Sequence, residues 1–70
     1  MNRKKIVTLE ETVKLYANLK FEEKGITTLR AGTTVTLEET GKIYTDVEGK
    51  DNKVLRIRKN TRNYYVLEEL

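Results

Sequence analysis

Apolar side chains recur at every second position along much of this 70-residue chain. Around Val35 and Leu37 they alternate with threonine and glutamate, and Leu55 and Ile57 alternate with arginines. Successive side chains of a β-strand point to opposite faces, so this pattern places one row against a core and the other in water. No proline interrupts the pattern. The alternation therefore predicts an all-β protein built from short strands.

A repeated hexapeptide supports the same interpretation for the first half of the chain. Val-Thr-Leu-Glu-Glu-Thr occurs at residues 7–12 and again at 35–40. Gly41 follows the second copy, where it would weaken a helix by about 1 kcal/mol and would suit a turn. We therefore expect a hairpin that is used twice. The first copy also fits a helical capping box, so a helix between Leu9 and Lys24 stays open as an alternative.

The size of the chain allows one small domain, which we assign to residues 1–70. Cysteine and histidine are absent, so neither a disulfide nor a soft-ligand metal site can support the fold. Stability must come from packed apolar side chains, and closing the sheet would remove exposed edges. We predict a small five- or six-stranded barrel. Its predicted core consists of Val7, Leu9, Leu19, Ile26, Leu29, Val35, Leu37, Ile43, Val47, Leu55, Ile57 and Val66.

The stretch from Ile26 to Glu39 reads Ile-Thr-Thr-Leu-Arg-Ala-Gly-Thr-Thr-Val-Thr-Leu-Glu-Glu, and the chain ends with Tyr-Tyr-Val and a trailing Leu70. This arrangement resembles bacterial Src-homology-3-like domains, in which a glycine-threonine turn leads into a valine-rich strand and a hairpin. The resemblance spans Ile26 to Leu70 and implies a Src-homology-3-like barrel. The tryptophan common in that hairpin is missing, and Tyr44 is the nearest substitute. The resemblance therefore assigns no ligand to any residue.

Several kinds of chemistry are excluded by composition. Without histidine, cysteine or serine the common nucleophile–base pairs cannot be built, and four dispersed glycines form no phosphate-binding loop. We predict a protein that is not an enzyme and that has no cofactor or metal site. No apolar stretch resembles a signal peptide or a membrane span, so we expect a cytoplasmic protein without membrane contact.

Cationic residues concentrate in one stretch of the second half, and they are the strongest functional signal. An arginine row beside an aromatic ring is suited to nucleic acid, where cations meet phosphates and a ring stacks on a base. The alternative is that these cations keep a strand soluble and pair with Glu38, Glu39 or Glu48 across the sheet. The predicted nucleic-acid-binding residues are Lys53, Arg56, Arg58, Lys59, Arg62 and Tyr64.

Two tyrosines carry a second functional hypothesis. Tyr16 and Tyr44 occupy equivalent positions after the two hexapeptides and lie off the predicted inward face. Rigid aromatic rings bury much area at low entropic cost, so an exposed pair could dock a protein partner. The alternative function is therefore a protein-interaction module, such as a small phage-type or regulatory protein. Equally, both rings could cap the ends of the sheet.

Overall fold

The computed structural model describes residues 4–22 and 24–70. Its strands are β1 (Lys4–Thr8), β2 (Val13–Leu15), β3 (Thr27–Leu29), β4 (Thr34–Thr45), β5 (Asp51–Lys59) and β6 (Arg62–Glu69). No helix occurs among the described residues, which confirms the all-β prediction and shows that the helical alternative for residues 9–24 is wrong where the chain is described. Within the same residues no helix is long and apolar enough to cross a bilayer.

The strands form two antiparallel sheets that meet along one bridge. The larger sheet has the order β1-β4-β5-β6, and β2 pairs with β3 in the smaller one. Tyr16, directly after β2, pairs with Tyr65 of β6. The N–H of Tyr16 donates to the carbonyl of Tyr65 at 2.9 Å, and the reverse bond measures 2.8 Å. Across residues 4–22 and 24–70 the sheets do not close into a barrel.

The core lies between the smaller sheet and one face of the larger sheet. Leu15 of β2 is 0% exposed, the only side chain in the described residues buried so completely. Around it the larger sheet supplies one leucine from β4 and two apolar residues from β5. Leu9, outside the strands, is held at the edge of this cluster by a bond from its N–H to the carbonyl of Thr33 at 2.9 Å. The buried cluster is Leu15, Leu29, Leu37, Leu55 and Ile57, and Val7, Leu9, Val13, Val35, Tyr64 and Val66 pack against it.

Three residues of the predicted core are exposed instead. Leu19 is 39% exposed and lies in the turn after β2, and Val47 is 99% exposed in the turn between β4 and β5. Ile43 is 55% exposed although it pairs with Lys53, two residues from Leu55 on the same face of β5. This register places Ile43 on the predicted face of the larger sheet, but the smaller sheet covers only the other end of that face. Leu15 takes the central position that the predicted core omitted.

The two hexapeptides adopt different structures, so the expectation of two equivalent hairpins is wrong. The first copy leaves the sheet after Thr8, at the end of β1, whereas the second lies inside β4. Val7 and Val35, the first residues of the two copies, are paired with each other across β1 and β4. The repeat therefore pairs with itself over its first residues and then diverges.

Gly41 lies in a β-bulge and not in the predicted turn. From Glu39 to Ile43 the chain takes four steps along β4 while β5 takes two, from Leu55 to Lys53, so β4 carries two extra residues. Gly41 has a φ of 79° there, a conformation that glycine adopts without a Cβ clash. The Oγ1 of Thr40 donates to the carbonyl of Val54 at 2.8 Å and so replaces a missing rung of the ladder.

The actual turn between β4 and β5 is organised by Asp46. Its carboxylate accepts hydrogen bonds from the backbone N–H groups of Lys50 and Glu48, each at 2.9 Å. The bond from Lys50 is the main reason that the pKa of Asp46 lies below its ordinary value; desolvation opposes this shift, and the bond from Glu48 adds to the lowering. The turn is therefore fixed by hydrogen bonds from its backbone to one side chain at its start.

Candidate functional site

One candidate site is a cleft that opens where β4 and β5 separate. Their pairing ends at Glu38 and Arg56. Beyond that pair the two strands diverge. Residues 33–36 form one wall of the cleft, and residues 56–59 form the other. The cleft has a volume of about 610 Å³. Because its walls are two strand segments, its shape suits an extended polymer.

The floor of the cleft is apolar and its rim is basic. Leu29, Val35 and Ile57 reach it from the core. Four cations line it against one carboxylate, which leaves a formal surplus of three positive charges. These lining charges are Lys4, Arg56, Arg58 and Lys59, opposed by Glu38. The cleft thus offers apolar contact below and attraction for anions above.

Glu38 neutralises part of this charge. It is only 8% exposed, and its carboxylate forms an ion pair with the Arg56 guanidinium and a second with the Lys4 ammonium, 3.8 Å away. A buried carboxylate is stable only when such partners compensate for lost hydration. Arg58 and Lys59 form no ion pair with any described carboxylate, so they are the cleft cations available to a ligand.

The structure brings together only part of the predicted nucleic-acid surface. Arg56, Arg58 and Lys59 line the cleft, and Arg62 lies opposite Lys59 at the start of β6. Lys53 lies outside it and pairs with Glu39, its Nζ 3.6 Å from the Oε1. The predicted cluster is therefore divided between two regions of the sheet.

Tyr64 lies on the opposite face of the sheet from Arg56 and Arg58. It pairs with Ile57 across β5 and β6 and packs against the core cluster. Tyr65, one residue on, pairs with Arg56 and so shares the face of that arginine. Residues directly opposite each other in a sheet share a face, and neighbours along a strand do not. The ring expected to stack on a base thus belongs to the core.

Tyr16 and Tyr44 are brought together by a third ring that the sequence did not single out. The ring of Phe21 lies 5.3 Å from that of Tyr16, edge to face, and 4.5 Å from that of Tyr44. Phe21 has a φ of 54°, a left-handed conformation that is costly for a bulky residue. All three residues are half-buried. The tyrosines are therefore ends of an aromatic cluster that holds the segment after β2 onto the sheet.

Lys4 and Phe21 escaped detection from sequence for one shared reason. Each acquires its role from a residue distant in the chain, and a local pattern holds no record of that contact. Position 38 does continue the outward row of β4, which fits its pairing with Arg56 but does not identify it.

Comparisons of the chain with protein-family models, with curated proteins and with solved structures find no match. In the described part of the chain, carboxylates form no group of three or more that could hold a metal ion. The chemistry of the cleft is therefore the guide to its function.

Proposed function

We propose that this protein is a binding module without enzymatic activity, and that its ligand is an acidic, extended segment of a partner protein held between β4 and β5. One observation carries the proposal: a single cleft joins an apolar floor to a surplus of three positive charges. Apolar contact supplies affinity, while the cations select an anionic partner and fix its register. This develops the protein-interaction hypothesis, at a site away from Tyr16 and Tyr44.

The floor favours a polypeptide over a nucleic acid. Leu29, Val35 and Ile57 can receive apolar side chains, which a phosphodiester backbone lacks. None of the described residues that line this cleft is aromatic, and stacking on aromatic rings contributes about 1–3 kcal/mol per base in single-strand binding. A peptide therefore uses both the floor and the rim, whereas a nucleic acid uses the rim alone.

Nucleic-acid binding is the second candidate, and a group of three neighbouring cations that form no ion pair with a described carboxylate favours it. Arg58, Lys59 and Arg62 follow one another around the hairpin between β5 and β6. Three phosphate contacts on a duplex would lower affinity by about 40-fold between 50 and 200 mM salt. The peptide complex is expected to show a shallower dependence, because part of its affinity is apolar.

Fluorescence anisotropy with two labelled probes separates these functions: a glutamate- and valine-containing peptide and a mixed-sequence DNA, each titrated at 50 and 200 mM salt. The informative variant is Arg58→Ala with Lys59→Ala. Its matched control is Lys20→Ala with Lys42→Ala, which removes the same charge from exposed sites away from the cleft. We expect at least tenfold loss of peptide binding in the first variant and none in the second. Binding of DNA alone would reject the peptide function in favour of the second candidate.

The Src-homology-3-like barrel is likewise our proposal. Six short strands in two sheets, joined where Tyr16 pairs with Tyr65, support it. Long-range NMR contacts that join the free edge of β3 to β1 would close the sheets and support the assignment. Their absence from a fully assigned spectrum would remove it.

A further inference from the structure

Among the described residues, no strand pairs with the edge of β4 that faces the cleft. Over residues 34–38 β4 pairs with β1 along its other edge, and its pairing with β5 begins only at Glu38. Backbone N–H and C=O groups need partners, and a free strand edge is a template for another strand. We infer that the ligand adds to this edge of β4 as a β-strand. The inference rests on the proposed function and specifies its mode.

The register shows which backbone groups are free. The carbonyl of Val54 points towards β4, because it accepts the Thr40 hydroxyl hydrogen bond. Backbone groups alternate between the two edges of a strand, so those of Arg56 also point to β4, and those of its partner Glu38 point to β5. Thr36 and Thr34 lie two and four residues before Glu38. Their N–H and C=O groups therefore point to the same edge of β4 as those of Glu38 and face the cleft.

The same alternation specifies the sequence of the ligand. Ligand residues directly opposite Thr34 and Thr36 share their face of the sheet, which is also the face of Arg56 and, two residues on, Arg58. Their neighbours point the other way, towards Val35 and the core. The fitting ligand alternates acidic and apolar residues, and its acidic residues exchange backbone hydrogen bonds with β4.

A set of labelled peptides tests this geometry on the intact protein. The reference is Val-Glu-Val-Glu-Val with Gly-Ser ends, a length that exceeds the roughly 13 Å spanned by four strand residues. Methylating both glutamate backbone nitrogens removes the two predicted donors to Thr34 and Thr36. We expect affinity to fall at least tenfold. Methylating the valine nitrogens, the matched control, should leave affinity within about threefold. The block-ordered peptide Glu-Glu-Val-Val-Val should bind at least tenfold more weakly than the reference.

Amide hydrogen exchange supplies a readout on the protein itself. Binding of the reference peptide should slow exchange at the Thr34 and Thr36 amides, while the amide of Val35, which faces β1, should change little. Equal binding by the two methylated peptides, or unchanged exchange at Thr34 and Thr36, would overturn strand addition and leave the proposed function standing. Failure of every peptide to bind would overturn both.

Discussion

Replacing Leu15 with alanine tests the architecture most directly, because this side chain joins the two sheets. It is 0% exposed although it belongs to a three-residue strand. Truncating a buried leucine costs about 2.7–5.0 kcal/mol, with the larger values where the surroundings cannot collapse. A chain of this length has a total stability of about 4–10 kcal/mol. We therefore expect Leu15→Ala to remove between about a quarter of the stability and all of it.

Urea unfolding followed by circular dichroism measures the loss, with Val47→Ala as the matched control. Val47 is 99% exposed, so its truncation should change the free energy of unfolding by less than about 0.5 kcal/mol. With a slope of about 1 kcal/mol per molar urea, Leu15→Ala should lower the midpoint by about 3 M or more, or leave no folded baseline. Equal effects of the two substitutions would show that the smaller sheet does not cover the core as described.

Three further substitutions test local features. Thr61→Gly should stabilise the protein by about 1 kcal/mol in a thermal melt, because Thr61, a β-branched residue, has a φ of 64° in the turn after β5; a destabilised variant would contradict this reading. Gly41→Ala should cost about 1–2 kcal/mol although no atom lies within 4 Å of the added Cβ, and Gly41→Asn should recover part of the loss; equal stability of glycine and alanine proteins would refute a backbone cause. Asp46→Asn tests pH linkage: because the Lys50 N–H lowers the folded pKa of Asp46, its contribution is full above the unfolded pKa and is lost as pH falls through the folded value. The difference in free energy of unfolding between wild type and this variant should therefore be constant near neutrality and shrink below about pH 4. Urea melts between pH 2 and 7 measure this difference, and a value that stays constant over the whole range would contradict the linkage.

Strand positions could be predicted where the alternation is local. Burial was predicted wrongly where it depends on residues, distant in the chain, that cover the strand. Leu55 and Ile57 sit in β5 as their spacing predicts. Ile43 shows the limit of the method, because a period of two gives the face of a sheet and not what lies over that face. Whether β2 and β3 reach a given position depends on the path of a loop, which the alternation does not encode. The predicted burial of Val47 was wrong for a simpler reason, because β4 ends at Thr45 and Val47 lies in the turn that follows.

The sequence predicted the positive charge of the site but not the shape of the cleft. The sequence places Arg58, Lys59 and Arg62 together because they are close in the chain. It offered Glu38 as one of three glutamates that would pair with the cations of this stretch but did not show which cation it neutralises, since Glu38 and Arg56 meet only through the register of β4 and β5. Nor could it show the cleft, which exists because that register ends at this pair. The local sequence predicts a site that attracts anions. The pairing of strands distant in the chain determines which of its cations remain available to a ligand.

Glu38 connects the stability of the fold to the charge of the cleft. Strand β4 changes partners along its length, with β1 beside its first half and β5 beside its second, and Glu38 is the residue at which both pairings overlap. Its carboxylate contacts Lys4 of β1 and Arg56 of β5, so one side chain links three strands across the point where the cleft begins. The bulge at Gly41 lies a few residues further on, and bulges bend and twist the strand that carries them. Because the same carboxylate that links the strands cancels one positive charge of the cleft, any change that frees Lys4 and Arg56 for a ligand must also weaken the junction that keeps the cleft open.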